Sequence, residues 1–196
     1  LVGYTNSGKS TLFNRLTHAD VLVKDQLFST LDTTTRLLEL PGNQKVLLVD
    51  TVGFVRRLPH HLIEAFKATL EEAVHADILL HVMDASRPDL KETRAAVEEV
   101  LAGLGAGASR RYEVLNKCDT SVTDISFISV EKGSENLFLI SAKTGAGLEG
   151  LSRRLSEELS QKRQSQDYFI PRDRYELLPF LYEQGQVLFQ KHRRQI

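Results

Sequence analysis

The stretch Gly3-Tyr4-Thr5-Asn6-Ser7-Gly8-Lys9-Ser10 decides how the rest of the chain is read. It fits the pattern G-x4-G-K-[ST], a loop whose glycines let successive backbone N–H groups turn inward on a phosphate. The helix expected to follow, Ser10–Leu16, brings its N-terminal N–H groups and dipole to the same anion. Lys9 is a point charge for β- and γ-phosphates, and the Ser10 hydroxyl is a hard oxygen ligand for Mg²⁺. All eight residues, with Thr11 beside them, are candidate nucleotide contacts. Taken alone, so short a pattern can also be a glycine-rich turn before a helix, and only Leu1-Val2 precede it where a strand should run.

Outward from the loop, short aliphatic runs at 36–40, 45–49, 78–83, 112–115 and 137–140 alternate with longer segments of helical period. Leu62, Phe66, Leu70 and Val74 mark one such segment, Leu90, Val97, Leu101 and Leu104 another, and Leu148, Leu151, Leu155 and Leu159 a third. Pro41-Gly42-Asn43 predicts a tight turn and hence an antiparallel hairpin. The alternation is that of an α/β domain with a mostly parallel sheet, here six-stranded and flanked by helices, over residues 1–160. Beyond it the composition turns polar. Residues 161–196 read as a linker and a partial C-terminal α/β segment, with a helix through Leu178, Leu181 and Tyr182 that ends near Gly185.

Three further elements follow in register. The run Lys45-Val46-Leu47-Leu48-Val49 leads into Asp50-Thr51-Val52-Gly53, where a carboxylate at the end of a buried strand can hold Mg²⁺ through its water shell. Gly53 lets a backbone N–H approach the γ-phosphate. Asn116-Lys117-Cys118-Asp119 follows another strand, and the Asp119 carboxylate can accept from N1–H and the 2-amino group of guanine. Adenine has neither donor there, so this tetrapeptide specifies GTP over ATP. Ser141-Ala142-Lys143 follows the last strand and offers a backbone N–H to guanine O6. Each element alone reads as a polar loop; the four in this order define a P-loop NTPase G domain that binds guanine nucleotides. Cys118, the sole cysteine, occupies the variable position of its tetrapeptide and reads as a small space-filler.

The composition bounds the alternatives. Of 196 residues, 41% are hydrophobic and 26% charged, which excludes a disordered chain. One cysteine allows no intramolecular disulfide and no multi-cysteine metal cluster. No apolar run approaches a membrane span. The 25 basic and 26 acidic residues nearly cancel, unlike a strongly basic nucleic-acid binder. The balance is uneven, however: residues 161–196 hold seven basic and four acidic residues, leaving 18 and 22 for residues 1–160. The chain begins at Leu1 rather than methionine and reads as a piece of something longer, so a bacterial-type cytoplasm and a mitochondrial matrix both stay open.

With these motifs in place, the sequence resembles the translational-factor-related GTPases and, within them, the HflX family of ribosome-associated GTPases. The resemblance is carried by GYTNSGKSTLFNRLT at 3–17, DQLFSTLDTTTR at 25–36 and DTVGFVRRLPHHLIEAFKATLEEA at 50–73. ADILLHVMDAS at 76–86, the tetrapeptide at 116–119 and SAKTGAGL at 141–148 complete it. Thr33 departs from the proline usual after that aspartate. The resemblance implies GTP hydrolysis to GDP and phosphate, Mg²⁺ dependence and association with the large ribosomal subunit and its rRNA, by a monomer. By the same analogy Thr30 senses the γ-phosphate and completes the Mg²⁺ shell, with Thr33, Thr34 and Thr35 as rivals; for the last two, β-propensity is the preferred reading. Lys9, Thr30 and Gly53 are then the catalytic candidates, and Ser10, Thr30 and Asp50 the Mg²⁺ ligands.

Many small GTPases carry a glutamine just after D-x-x-G to orient the attacking water. Phe54 stands at that position, so hydrolysis in isolation is expected to be slow. Asn6 matches the asparagine that some relatives use to hold K⁺ against the phosphates, or it only braces the loop. Arg56 and Arg57 either read partner phosphates or form a solvated face, the latter preferred. The competing classes are a GTP-binding interaction module with negligible turnover and a ribosome-assembly GTPase of a sister family.

Overall fold

The structure is a computed structural model that describes residues 1–18, 34–54, 72–106, 110–120, 134–161, 166–184 and 187–191. Thr30, Thr33, Arg56, Arg57 and the helical period through Leu62, Phe66 and Leu70 lie outside the described residues.

Helix α1 (Lys9–Thr17) starts directly from the phosphate loop, with Gly8 as its N-cap, and buries Leu12, Phe13 and Leu16 on one stripe. Strands β1 (Thr34–Leu40) and β2 (Gln44–Asp50) pair antiparallel across the Pro41-Gly42-Asn43 turn, Leu40 opposite Gln44 and Thr34 opposite Asp50. Thr34 and Thr35 thus belong to a strand, as their β-branching favours. Strand β3 (Leu79–Asp84) is buried at every position, as a strand covered on both faces must be. Helix α2 (Leu90–Gly103) leads to β4 (Arg111–Asn116), parallel to β3, and a 3₁₀ turn (Ser134–Asn136) to β5 (Leu137–Leu139), parallel to β4. Helix α3 (Leu148–Ser160) follows β5.

Five strands form among the described residues, and Val2 holds the sixth place. Its N–H donates to Leu80 O at 2.9 Å and its carbonyl accepts from Val82 N–H at 2.7 Å, a parallel bridge opposite His81. On the other side Leu1 O accepts from the Thr51 hydroxyl at 2.7 Å, and the Leu1 amino group donates to Val49 O. Two residues make a bridge rather than a ladder, but they join the β1–β2 hairpin to the β3–β4–β5 sheet. Helices α1 and α3 cover one face, where Leu12, Phe13, Leu151 and Leu155 meet Leu80, Val82, Val114 and Ile140. Helix α2 covers the other, where Val97 and Leu101 meet Val2, Leu79 and Phe54.

That second face also buries a charged cluster. His81 Nδ1 lies 3.0 Å from Glu113 Oε2, and Arg94 and Arg111 approach the other carboxylate oxygen at 3.8 and 3.4 Å. Burial by itself pushes the Glu113 carboxyl up. His81, Arg111 and Arg94 outweigh it and hold the group below the usual carboxylate range. Removing one member of such a cluster leaves charge in an apolar wall. Glu113→Ala should therefore lower unfolding free energy by about 3–5 kcal/mol, read as a drop in denaturant midpoint at unchanged slope.

Beyond α3 the regular structure among the described residues is a 3₁₀ turn (Arg172–Arg174) and helix α4 (Leu177–Gln184), whose Tyr182 carbonyl accepts from Asn43 Nδ2 at 2.9 Å. Of the α/β segment expected here, the described residues include the helix. The apolar run Val187-Leu188-Phe189 has no strand assignment, and Leu188 and Phe189 are exposed. Among the described residues no helix is long and apolar enough to cross a membrane.

Candidate functional site

Three of the described candidate loops follow the carboxyl ends of strands, the edge where open parallel sheets bind their ligands. Asp50 ends β2, Asn116 ends β4, and Ser141 follows β5. The phosphate loop lies among them. Its Gly8 has φ 90°, and a Cβ there would fall 2.2 Å from Asn116 Nδ2, so only glycine fits both the conformation and the space. At Gly53 the constraint is proximity: a Cβ would lie 2.9 Å from Thr5 Cα and 3.2 Å from Lys9 Nζ.

The phosphate loop and the D-x-x-G segment are joined by main-chain bonds. Thr5 N–H donates to Phe54 O at 2.7 Å, and Phe54 N–H donates to Gly3 O at 3.1 Å. The Phe54 side chain turns inward, 2% exposed, into the core with Val2, Leu79, Val97 and Leu101. It is a core residue, and the position where many GTPases carry glutamine therefore presents only backbone to the loop.

Lys9 is buried and spans the loop, its Nζ donating to Gly3 O at 3.1 Å and Tyr4 O at 3.2 Å. Burial pushes its pKa down to about 8, with the Asp50 charge offsetting part of that shift. The Ser10 hydroxyl donates to Asp50 Oδ2 at 2.7 Å, and Asp50 is 1% exposed. A hydroxyl and a carboxylate in contact, beside an ammonium group, form a hard-oxygen pair whose chemistry suits Mg²⁺ with water and phosphate as its other ligands. Tyr4 is fixed from outside: the Arg87 guanidinium lies 5.3 Å from its ring centroid and is itself forked onto Asp89 at 2.8 and 2.9 Å.

The tetrapeptide at 116–119 is tied to both neighbouring loops. Asn116 Nδ2 donates to Ser7 O at 3.0 Å, and its Oδ1 accepts from Ala142 N–H at 2.9 Å. One amide thus clamps the phosphate loop to the Ser141-Ala142-Lys143 loop. Lys117 takes φ 66°, and its Nζ donates to Asn6 O at 2.9 Å; Asn6 itself has φ 62° and an exposed side chain. Asp119 is exposed, and a hydrogen bond from the Ser141 hydroxyl is the main cause holding its carboxyl below the usual range. Ser141 is fully buried, and its Oγ also accepts from Thr144 N–H at 3.1 Å. Lys143 and Cys118 lie on the same rim, exposed and half-buried respectively.

Gly3 to Thr11, Asp50, Gly53, Asn116, Lys117, Asp119 and Ser141 to Lys143 thus converge on one edge. What sequence reasoning missed is Asp84, at the end of β3, with its Oδ2 2.7 Å from Lys117 Nζ. The signal was available: an acidic residue closing a buried strand, the pattern that singled out Asp50.

A phosphate loop leading into a helix, a D-x-x-G strand end and an N-K-x-D loop clamped onto it define a G domain of the P-loop GTPase class. The comparisons agree. The family model described as "50S ribosome-binding GTPase" matches residues 1–117, and the chain belongs to that family. It is 46% identical over 188 residues to the GTPase HflX of Caldanaerobacter subterraneus subsp. tengcongensis, covering 96% of this chain and 42% of that relative. To the GTPase HflX of Escherichia coli it is 47% identical over 161 residues, covering 82% of this chain and 38% of the relative. The chain therefore spans about two-fifths of the length of these relatives. Among solved structures, a GTP-binding protein from Sulfolobus solfataricus in complex with GDP superposes with a TM-score of 0.66. That match has 33% identity and covers 83% of this chain and 52% of the other.

Proposed function

We propose that this chain is the G domain of an HflX-type factor that binds GTP, hydrolyses it to GDP and phosphate, and uses the two states as a conformational switch on the large ribosomal subunit. The observation that carries the proposal is the double clamp of Asn116 on Ser7 O and Ala142 N–H, with Asp119 held by Ser141. Phosphate cradle and guanine reader are thereby one preformed unit, and pre-organisation of this kind favours binding of the matching base. In this reading Lys9 neutralises the terminal phosphates, and the Gly53 N–H senses the γ-phosphate. Ser10 and Asp50 would hold Mg²⁺, with Thr30 completing its shell; when bound, that ion neutralises charge between the β- and γ-phosphates. Asn6 is assigned the K⁺ position. Residues 1–160 form the G domain, and residues 161–196 begin a further unit. The compartment is that of the ribosome it serves, a bacterial cytoplasm.

The buried Phe54 supports slow intrinsic turnover, since no side chain at that position can orient water. Multiple-turnover phosphate release, with and without large ribosomal subunits and in matched K⁺ and Na⁺ buffers, tests the reading. The expected result is slow release alone, stimulation of about tenfold or more by the subunits, and a faster rate in K⁺. Equal rates in both salts remove Asn6 from the K⁺ role. Near-zero turnover unmoved by subunits favours a GTP-binding module that does not turn over.

A further inference from the structure

Asp84 belongs to none of the motifs that define the site, yet it touches the centre of them. Its side chain is 9% exposed; Oδ2 lies 2.7 Å from Lys117 Nζ, and Oδ1 accepts from the Ser86 N–H at 3.0 Å and the Ser86 hydroxyl at 2.6 Å. The backbone holds it in place as well: Asp84 pairs in register with Asn116, and Ala85 N–H donates to Asn116 O at 2.8 Å. Burial pushes its carboxyl up, but the hydrogen bonds from Lys117 and Ser86 outweigh burial and keep it ionised at neutral pH.

Among the described residues, Lys117 joins this carboxylate to the phosphate loop, since the same ammonium donates to Asn6 O at 2.9 Å. One end of that link is strained. Lys117 takes a left-handed φ of 66°, unfavourable for a residue with a Cβ, and such a conformation persists only where the surroundings over-determine it; Asn6 takes φ 62°, which asparagine adopts at lower cost. An ammonium placed between a fixed carboxylate and a carbonyl is the contact that does so here. We propose that Asp84 is a positioning residue for nucleotide binding: through Lys117 it fixes the register of the guanine-reading loop against the phosphate loop. This rests on the guanine-nucleotide reading of the site. Because the link lies away from the terminal phosphate, Asp84 sets the retention of GDP and GTP alike.

The test is the release rate of a fluorescent GDP, and of a non-hydrolysable GTP analogue, chased with excess unlabelled nucleotide. Asp84→Asn keeps the side-chain shape and should speed both releases by the same factor, roughly tenfold for a lost charge-assisted contact. It should leave the preference for guanine over xanthine unchanged, since Asp119 is intact. The double variant Asp84→Asn with Lys117→Met should release no faster than Lys117→Met alone, because the two residues act in series. Ser86→Ala, which loosens Asp84 without touching Lys117, should give a smaller change in the same direction. Release within twofold of wild type in Asp84→Asn, effects that multiply in the double variant, or a change confined to one nucleotide each overturns the proposal. Wild-type protein that retains no GDP overturns the guanine-nucleotide reading itself.

Discussion

Asp119→Asn should cost this protein its preference for guanine and transfer it to xanthine. The carboxylate accepts two hydrogen bonds from guanine N1–H and its 2-amino group; an amide at the same place offers one acceptor and one donor. Xanthine, with an oxygen where guanine has its amino group, matches that pair. The structure strengthens the expectation, because Asp119 is held by the Ser141 hydroxyl, and Ser141 is fully buried and anchored in turn by Thr144 N–H. A carboxylate held in that way is oriented before the base arrives. Sites that read a base by oriented hydrogen bonds discriminate steeply, so GTP affinity should fall by about a hundredfold or more while xanthosine triphosphate affinity rises. Competition binding with GTP, xanthosine triphosphate and ATP reads this directly. Retained GTP affinity would mean that Asp119 does not read the base.

The second large effect is expected at Lys9. Its ammonium is buried against Gly3 O and Tyr4 O, and burial brings its pKa down to about 8. Lys9→Ala removes the positive charge aimed at the terminal phosphates, and loss of one such stabilising group should reduce the hydrolysis rate by on the order of 10²–10³. The pH dependence follows from the same residue. Below about pH 8 the free protein already carries the charge, and GDP affinity should be level. Phosphate favours the protonated form and so raises this pKa in the complex. Between pH 8 and about 9, binding then takes up a proton, and affinity should fall by up to about tenfold per unit. In Lys9→Ala that slope should vanish, and a slope surviving the substitution would assign it to another group.

Much of the fold was legible because its signals are local. The alternation of aliphatic runs and helical periods located α2, α3 and the five strands of the described residues, the phosphate-loop motif located α1, and Pro41-Gly42-Asn43 marked the antiparallel β1–β2 connection. The candidate site's loops were legible for the same reason: each motif is a contiguous stretch whose residue types suggest their chemistry. What stayed hidden depends on register between distant strands. Asp84 meets Lys117 only because β3 and β4 pair in parallel with Asp84 opposite Asn116, and no window along the chain contains both. The Ser141–Asp119 contact is hidden in the same way. Phe54 is a different case: its residue type says that the side chain cannot hydrogen-bond water, but its inward turn is set by the apolar face of α2, which the motif does not include. At residues 161–196, helix formation was legible from the spacing of Leu178 and Leu181, whereas strand formation depends on partners that a single segment cannot specify.

The central claim, that this chain carries a preformed guanine-nucleotide site, is tested most directly by calorimetric titration of GDP and of ADP into the chain with Mg²⁺ present. The expected result is one-to-one binding of GDP with no detectable heat from ADP. Equal binding of the two nucleotides, or none of GDP, would contradict it.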